Sequence, residues 1–128
     1  KTGAAYTGGH IVHGCANAMY LPKVIKFNSK NPEAAKRYGE IAASLGLAPN
    51  ADALIAHIRA MNAKLDIPTG IQTYEGGIID EKEFLEKLPK VAELAVGDAC
   101  TGSNPRAITP AEMQLLLKAC YYDTEVNF

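Results

Sequence analysis

The chain has 128 residues, which is enough for one domain with its own hydrophobic core. Hydrophobic residues make up 48% of it and charged residues 21%, and this composition excludes intrinsic disorder. With 13 basic and 14 acidic residues the net charge is −1, so the charge balance gives no reason to expect nucleic acid or an anionic membrane as a partner.

The sequence shows neither a membrane segment nor a secretion signal. No apolar run approaches the roughly 18 residues that cross a bilayer, and residues 1–6 (KTGAAY) lack the hydrophobic segment of a signal peptide. The three cysteines, Cys15, Cys100 and Cys120, form no CxxC pair. Sparse, reduced thiols are typical of the cytosol, so we expect a cytoplasmic protein without a membrane partner.

The first predicted helix covers residues 14–27 and places Leu21, Val24 and Ile25 in the core. Pro22 lies inside this helix. Because proline has no N–H, it leaves the carbonyl of Ala18, four residues earlier, without its helical partner, and this predicts a kink.

Two further helices are predicted, each with an asparagine at its start. Asn31 precedes Pro32, which fits the first turn of a helix, and Gly46 stands where a C-terminal cap belongs. Asn50 opens the other helix, and Pro68 lies just past its end. The predicted apolar stripes are Ala34, Tyr38, Ile41, Ala42 and Leu45 in the first, and Leu54, Ile58, Met61 and Leu65 in the second.

The second half of the chain is predicted to be helical too. Residues 80–83 (DEKE) have the form of a capping box, and Pro89 predicts that this helix ends at Leu88 and that another starts at Pro89. Thr109 and Pro110 give the strongest start signal, since a glutamate follows at the third helical position. The predicted buried side of that last helix is Met113, Leu116, Leu117 and Cys120.

Strand signals are nearly absent, because residues 67–77 (IPTGIQTYEGG) are too rich in proline and glycine for a central strand. We therefore predict a single all-α domain over residues 1–128, built as a bundle of five to six helices.

Few residues suggest chemistry. His10 and His13 lie among glycines in residues 8–14 (GGHIVHG), and imidazole is a good ligand for zinc or iron. A dedicated metal site needs three or four ligands, and no Cys/His cluster completes one here. Two interpretations stay open on spacing alone: a metal role, or two loop histidines that bind backbone groups near a helix start.

The other polar candidates have structural interpretations. His57 lies at the edge of a helical stripe, where a boundary residue is expected. Asp98, Asn104 and Arg106 belong to a polar loop and can form a hydrogen-bond network that pins it. No phosphate-binding glycine loop and no Ser-His-Asp arrangement can be proposed.

Several segments resemble those of one family, the iron-containing (group III) alcohol dehydrogenases. Residues 13–28 (HGCANAMYLPKVIKFN) are similar to its "PHG-ANA-LLP-V-FN" segment, and residues 37–46 to its "RYAEIA-LGL" helix. Residues 65–68 (LDIP) resemble "LGIP", and residues 98–106 resemble the "D-C-T-NPR" loop. Residues 120–122 (CYY) are similar to the end of the alcohol dehydrogenase half of bifunctional aldehyde–alcohol dehydrogenases.

The resemblance implies an NAD(P)-dependent, reversible conversion of alcohol and aldehyde. Members have an N-terminal dinucleotide-binding α/β domain and a C-terminal all-α domain. One Fe²⁺ or Zn²⁺ lies between them, held by one Asp and three His, and the last of these His maps onto His13. The metal would act as a Lewis acid toward the alcohol while hydride passes to the nicotinamide.

The sequence also departs from the family pattern. The Asp and the other two His ligands precede the "KLGA" segment that residues 1–4 (KTGA) resemble, so this chain lacks them together with the cofactor domain. Val12 replaces the usual proline before the ligand histidine, and residues 7–9 look like an insertion.

We therefore expect a C-terminal dehydrogenase fragment that is inactive alone. It carries one metal ligand, His13, has no assigned catalytic or cofactor-binding residue, and binds neither metal nor NAD(P) by itself. The small alcohol or aldehyde would be a partner of the full-length enzyme only. We also expect a homo-oligomer, or an exposed apolar patch around the first helix.

Two other interpretations remain open. The chain could be a non-catalytic helical interaction or oligomerisation module, or a metal-binding module that joins His10 and His13 of two chains.

Overall fold

The computed structural model describes residues 10–128, and these residues form five α-helices and two short 3₁₀ helices without any strand. The segments 1–4 and 7–9, on which part of the family comparison rested, lie outside the described residues. The helices are α1 (His13–Asn28), α2 (Pro32–Ser44), α3 (Ala51–Lys64), α4 (Glu81–Val96) and α5 (Pro110–Tyr122). The 3₁₀ helices are Ile71–Gly76 and Thr101–Ser103. The predicted all-α class is confirmed.

Four of the helices begin at the side chain that the sequence indicated. Asn31, Asn50, Asp80 and Thr109 each accept a hydrogen bond from a backbone N–H in the first turn that follows. At α5 the capping box is complete, because the Glu112 carboxylate also accepts from the Thr109 N–H at 2.9 Å. These interactions satisfy N–H groups that have no partner within the helix.

The prediction that Pro89 divides α4 is wrong, since the helix continues through it to Val96. Pro89 has no N–H to donate to the carbonyl of Leu85, four residues earlier. Both residues lie on the exposed side of the helix. Water can bind that carbonyl, so the interruption costs little. The buried face of α4 lies on the other side and runs past the proline, as Phe84, Leu88, Val91 and Ala92.

Helix α1 is central, because it contributes to each of three buried clusters. Met19 joins the largest cluster, with α4, α5 and the 71–76 segment. Ile25 packs with α2 and α3, and Phe27 packs with α5 and the C-terminal residue Val126. In the largest cluster the rings of Phe84 and Tyr121 stack with centroids 4.1 Å apart.

Several residues predicted to be core are exposed. Leu21, Ile41, Leu45, Met61 and Leu65 have 46–69% of their surface accessible, so their predicted burial is wrong for the part of the chain that the structure describes. Leu45 and Leu65 are the residues that cap the ends of α2 and α3. Leu54 and Ile58, on the same predicted stripe as Met61 and Leu65, are buried between helices. None of the described helices is both long and apolar enough to cross a membrane.

Candidate functional site

His13 is the first residue of α1, and its side chain is exposed. Its Nε2 lies 3.3 Å from the amide nitrogen of Asn17, one helical turn further on. The amide can donate to that nitrogen when the ring carries its proton on Nδ1. His10, three residues earlier, is exposed as well, so both imidazoles face solvent at the start of α1.

The start of α1 is held by contacts from outside the helix. Val12 occupies the cap position and offers no capping side chain, and the first turn carries no acidic residue. Instead, the Val12 N–H donates to the Tyr74 hydroxyl oxygen at 3.3 Å, and the side chain of Ile11 is buried in the largest cluster.

Pro22 leaves the carbonyl of Ala18 without a donor from its own helix, as predicted. The carbonyl of Ala18 accepts a hydrogen bond at 2.8 Å from the side-chain amide of Asn62 on α3. The helix therefore continues through Pro22 with its open acceptor satisfied by a neighbouring helix.

The predicted network in the 98–106 loop forms around Asn104 and Arg106. The amides of Asn28 and Asn104 donate to each other at 3.0 and 2.8 Å. The Arg106 guanidinium lies 3.8 Å above the Phe27 ring and donates to the carbonyls of Phe27 and Phe128 at 2.8 and 3.0 Å. The network thus fastens the loop to the end of α1 and to the C-terminal segment, as the structural interpretation predicts.

Asp98 serves the start of the same loop, where its carboxylate accepts from the Cys100 N–H at 2.9 Å. Cys100 is exposed beside an apolar cavity of about 240 Å³. The hydroxyl of Thr101, which also lines the cavity, donates to the Ala95 carbonyl at 2.6 Å. The other lining residues are Val24, Phe27, Asn104, Ile108, Met113 and Leu116.

An ion cluster that the sequence did not indicate joins α1, α3 and the end of α5. Asp123 accepts two hydrogen bonds from Arg59, both at 2.9 Å, and pairs with Lys23 at 2.8 Å. The Lys23 ammonium is buried and also donates to the Thr124 carbonyl at 2.8 Å. Hydrogen bonds from Arg59 and then Lys23 lower the pKa of Asp123 to about 2. No local pattern reveals this cluster, because its members lie in distant parts of the sequence.

Cys120 and His57 lie in surroundings typical of structural residues. Burial raises the pKa of the Cys120 thiol to about 12, so the thiol stays protonated and is a poor nucleophile. His57 lies half-buried on α3, as expected for a boundary residue.

The described residues do not complete a metal site. Within residues 10–128 no three side chains of His, Cys, Asp or Glu lie close enough together to hold an ion. A divalent metal needs three or four such ligands. The donor set in this part of the chain therefore does not fit a whole metal site, and the ligand role of His13 stays a prediction.

Comparison with known proteins gives the family. The profile of the Fe-containing alcohol dehydrogenase family, C-terminal, matches residues 1–121. An NADPH-dependent butanol dehydrogenase of Clostridium saccharobutylicum is 47% identical over 133 aligned residues, covering 100% of this chain and 32% of the relative. The bifunctional aldehyde-alcohol dehydrogenase AdhE of Escherichia coli is 35% identical, and the alignment covers 88% of this chain and 15% of AdhE. An alcohol dehydrogenase of Thermococcus barophilus is 38% identical, and the alignment covers 87% of this chain and 28% of that enzyme.

The chain thus spans less than a third of the length of each of these relatives. The match extends over the segments quoted from the sequence and agrees with the all-helical fold. The chain therefore belongs to the Fe-containing alcohol dehydrogenase family and corresponds to its C-terminal part.

Proposed function

We propose that the chain is the helical, metal-contacting part of an NAD(P)-dependent alcohol dehydrogenase that interconverts a small alcohol and its aldehyde. The observation that carries this proposal is the 47% identity to a butanol dehydrogenase across the whole chain. The unpaired cysteines, all free in the structure, support a cytoplasmic location.

His13 is the residue that would hold the metal, as one of several ligands to Fe²⁺ or Zn²⁺. Its ring is exposed at the start of α1. A metal bound to Nε2 would displace the Asn17 amide, which lies 3.3 Å from that nitrogen. When bound, a divalent ion in such an enzyme supplies Lewis-acid polarisation of the substrate oxygen. The contribution of this chain is to present one imidazole from the end of a packed helix.

The chain alone should have no dehydrogenase activity, because one imidazole cannot hold a divalent ion as four ligands do. The test supplies the purified 128-residue chain with NADH or NADPH, Fe²⁺ or Zn²⁺, and butanal, and follows consumption of the reduced nicotinamide. We expect no turnover above the metal-free control. Turnover would refute the proposal that the chain is inactive by itself.

The ligand assignment has a test of its own. Zinc added to the isolated chain should bind weakly and shift the ring resonances of His13. The variant His13→Ala should remove most of this zinc response, whereas His57→Ala should leave it unchanged. A response that survives His13→Ala would contradict the assignment. Stoichiometric zinc retained through gel filtration would instead favour the module built from His10 and His13 of two chains.

Exposed apolar side chains support a second candidate function, a helical module that self-associates. Nine large hydrophobic residues among residues 10–128 are more than 40% exposed, and a contiguous patch of such side chains would be an interaction surface. They are Val12, Leu21, Ile41, Leu45, Met61, Leu65, Leu85, Leu94 and Leu115. Light scattering over a range of concentrations decides, because a defined homo-oligomer supports this function and a monomer at every concentration contradicts it.

A further inference from the structure

The first turn of α1, which carries His13, is intrinsically weak. Its cap residue, Val12, offers no side-chain acceptor, and no acidic residue complements the positive end of the helix. Gly14, the second helical residue, lowers helix stability by about 1 kcal/mol relative to alanine. The local sequence therefore does not fix the orientation of His13, so tertiary contacts must fix it.

Two such contacts flank His13. One residue before it, the Val12 N–H donates to the hydroxyl oxygen of Tyr74 at 3.3 Å. Five residues after it, the carbonyl of Ala18, left open by Pro22, accepts from the Asn62 amide at 2.8 Å. The segment between them is bound on one side to the 71–76 loop and on the other to α3.

The loop that carries Tyr74 has a strained and well-anchored backbone. Glu75, directly after Tyr74, has φ +45°, in the left-handed region that costs a residue with a side chain about 1–2 kcal/mol. Such strain persists only where the surroundings impose it. Here the side chains of Ile71 and Tyr74 are 1% and 4% exposed, so the loop is held in the largest cluster.

The loop is also pressed against α5. A Cβ on Gly70 would lie 2.8 Å from the Tyr121 carbonyl oxygen, which only glycine can avoid. Tyr74 therefore projects from a segment that is fixed on both sides, and its hydroxyl is a rigid acceptor for the start of α1.

We infer that Tyr74 and Asn62 are positioning residues for the imidazole of His13. Tyr74 fixes the residue that precedes His13, and Asn62 fixes the helical turn that follows it. This inference rests on the proposed function of His13 as a metal ligand. Each residue acts through the backbone of α1, to which it is hydrogen-bonded.

The experiment measures local order in the metal-free chain by NMR. The first hydrogen bond within α1 runs from the Ala16 N–H to the Val12 carbonyl at 2.9 Å, so exchange of the Ala16 amide reports on that turn. Tyr74→Phe removes only the hydroxyl and should raise this exchange rate about fivefold, as expected for the loss of one hydrogen bond. It should also raise the mobility of the His13 ring.

Tyr122→Phe is the matched control. It also removes one tyrosine hydroxyl, which donates to Glu81 at the start of α4 at 2.7 Å rather than contacting the backbone of α1. We expect it to leave the Ala16 amide and the His13 ring unchanged. Unchanged Ala16 exchange in Tyr74→Phe would overturn the inference, and so would a rise of equal size throughout α1 and α4, because that pattern indicates general destabilisation.

Asn62→Ala gives a second, independent measurement if Tyr74→Phe does not fold. Exchange should increase for residues 16–21 and stay the same for residues 23–28, beyond Pro22. An equal increase in both segments would overturn the role of Asn62. Since no metal is present, failure here is distinct from failure of the proposed function, which the zinc titration and the turnover assay test separately.

Discussion

Replacement of Asp123 by asparagine tests the ion cluster that joins α1, α3 and the end of α5. Asp123 has φ +56°, in the left-handed region that asparagine adopts readily, so Asp123→Asn removes the charge without straining the backbone. The carboxylate is 23% exposed and its Lys23 partner 9% exposed, so water screens the interaction only in part. The variant thus isolates the effect of one buried charge.

The expected magnitude follows from the pKa of Asp123. Hydrogen bonds from Arg59 and Lys23 lower it from 3.8 to about 2, which corresponds to about 2 kcal/mol of folding stability at neutral pH. Because the folded-state pKa lies below the unfolded value, this stabilisation is fully present above about pH 4. It decreases as the pH falls toward 2, and about half remains at pH 3.

The assay is urea unfolding of both proteins at pH 7 and at about pH 3, because urea is uncharged and does not screen the ion pairs. We expect Asp123→Asn to lose about 2 kcal/mol at pH 7 and about half as much at pH 3. Glu40→Gln is the control, because the Arg37–Glu40 pair is exposed at 79% and 49% and should change stability by less than about 0.5 kcal/mol. Equal losses at the two pH values would refute the electrostatic reasoning.

Two further predictions concern glycines and thiols. Gly39→Ala should destabilise the chain by about 1–3 kcal/mol, because its Cβ would lie 2.7 Å from the Pro49 carbonyl oxygen. Gly14→Ala should stabilise it by about 0.5–1 kcal/mol, because no atom of residues 10–128 lies within 4 Å of the added Cβ. Thermal unfolding of both variants measures this difference in sign. With a thiol reagent under native conditions, exposed Cys100 should react and Cys120, whose pKa burial raises to about 12, should not; fast modification of Cys120 would show that the core opens readily.

The helix starts could be predicted because capping is a local interaction. Asn31 and Thr109 reach N–H groups two or three residues away, so the residues that form each cap are neighbours in the sequence. The effect of proline on a helix could be predicted at one position and not at the other. The sequence correctly indicated that Pro22 frees the Ala18 carbonyl, but the outcome at Pro89 depended on which side of α4 faces water.

The candidate site was predictable through its resemblance to the family, which is carried by the residues around His13. Its surroundings were not. Tyr74 lies 62 residues away from Val12 in sequence, and Asn62 lies 44 residues away from Ala18. Contacts at such separations depend on how the helices pack, and no periodicity or spacing in the sequence contains that information.

The amino-acid sequence by itself determined the helical class, four helix starts and the family, because these depend on neighbouring residues or on whole motifs. Only the tertiary structure decided which apolar faces are covered, since Leu54 and Met61 share a predicted stripe and differ in burial. It also brought Lys23, Arg59 and Asp123 together. The physical reason is that burial and charge pairing depend on distances in space, which the order of residues along the chain does not specify.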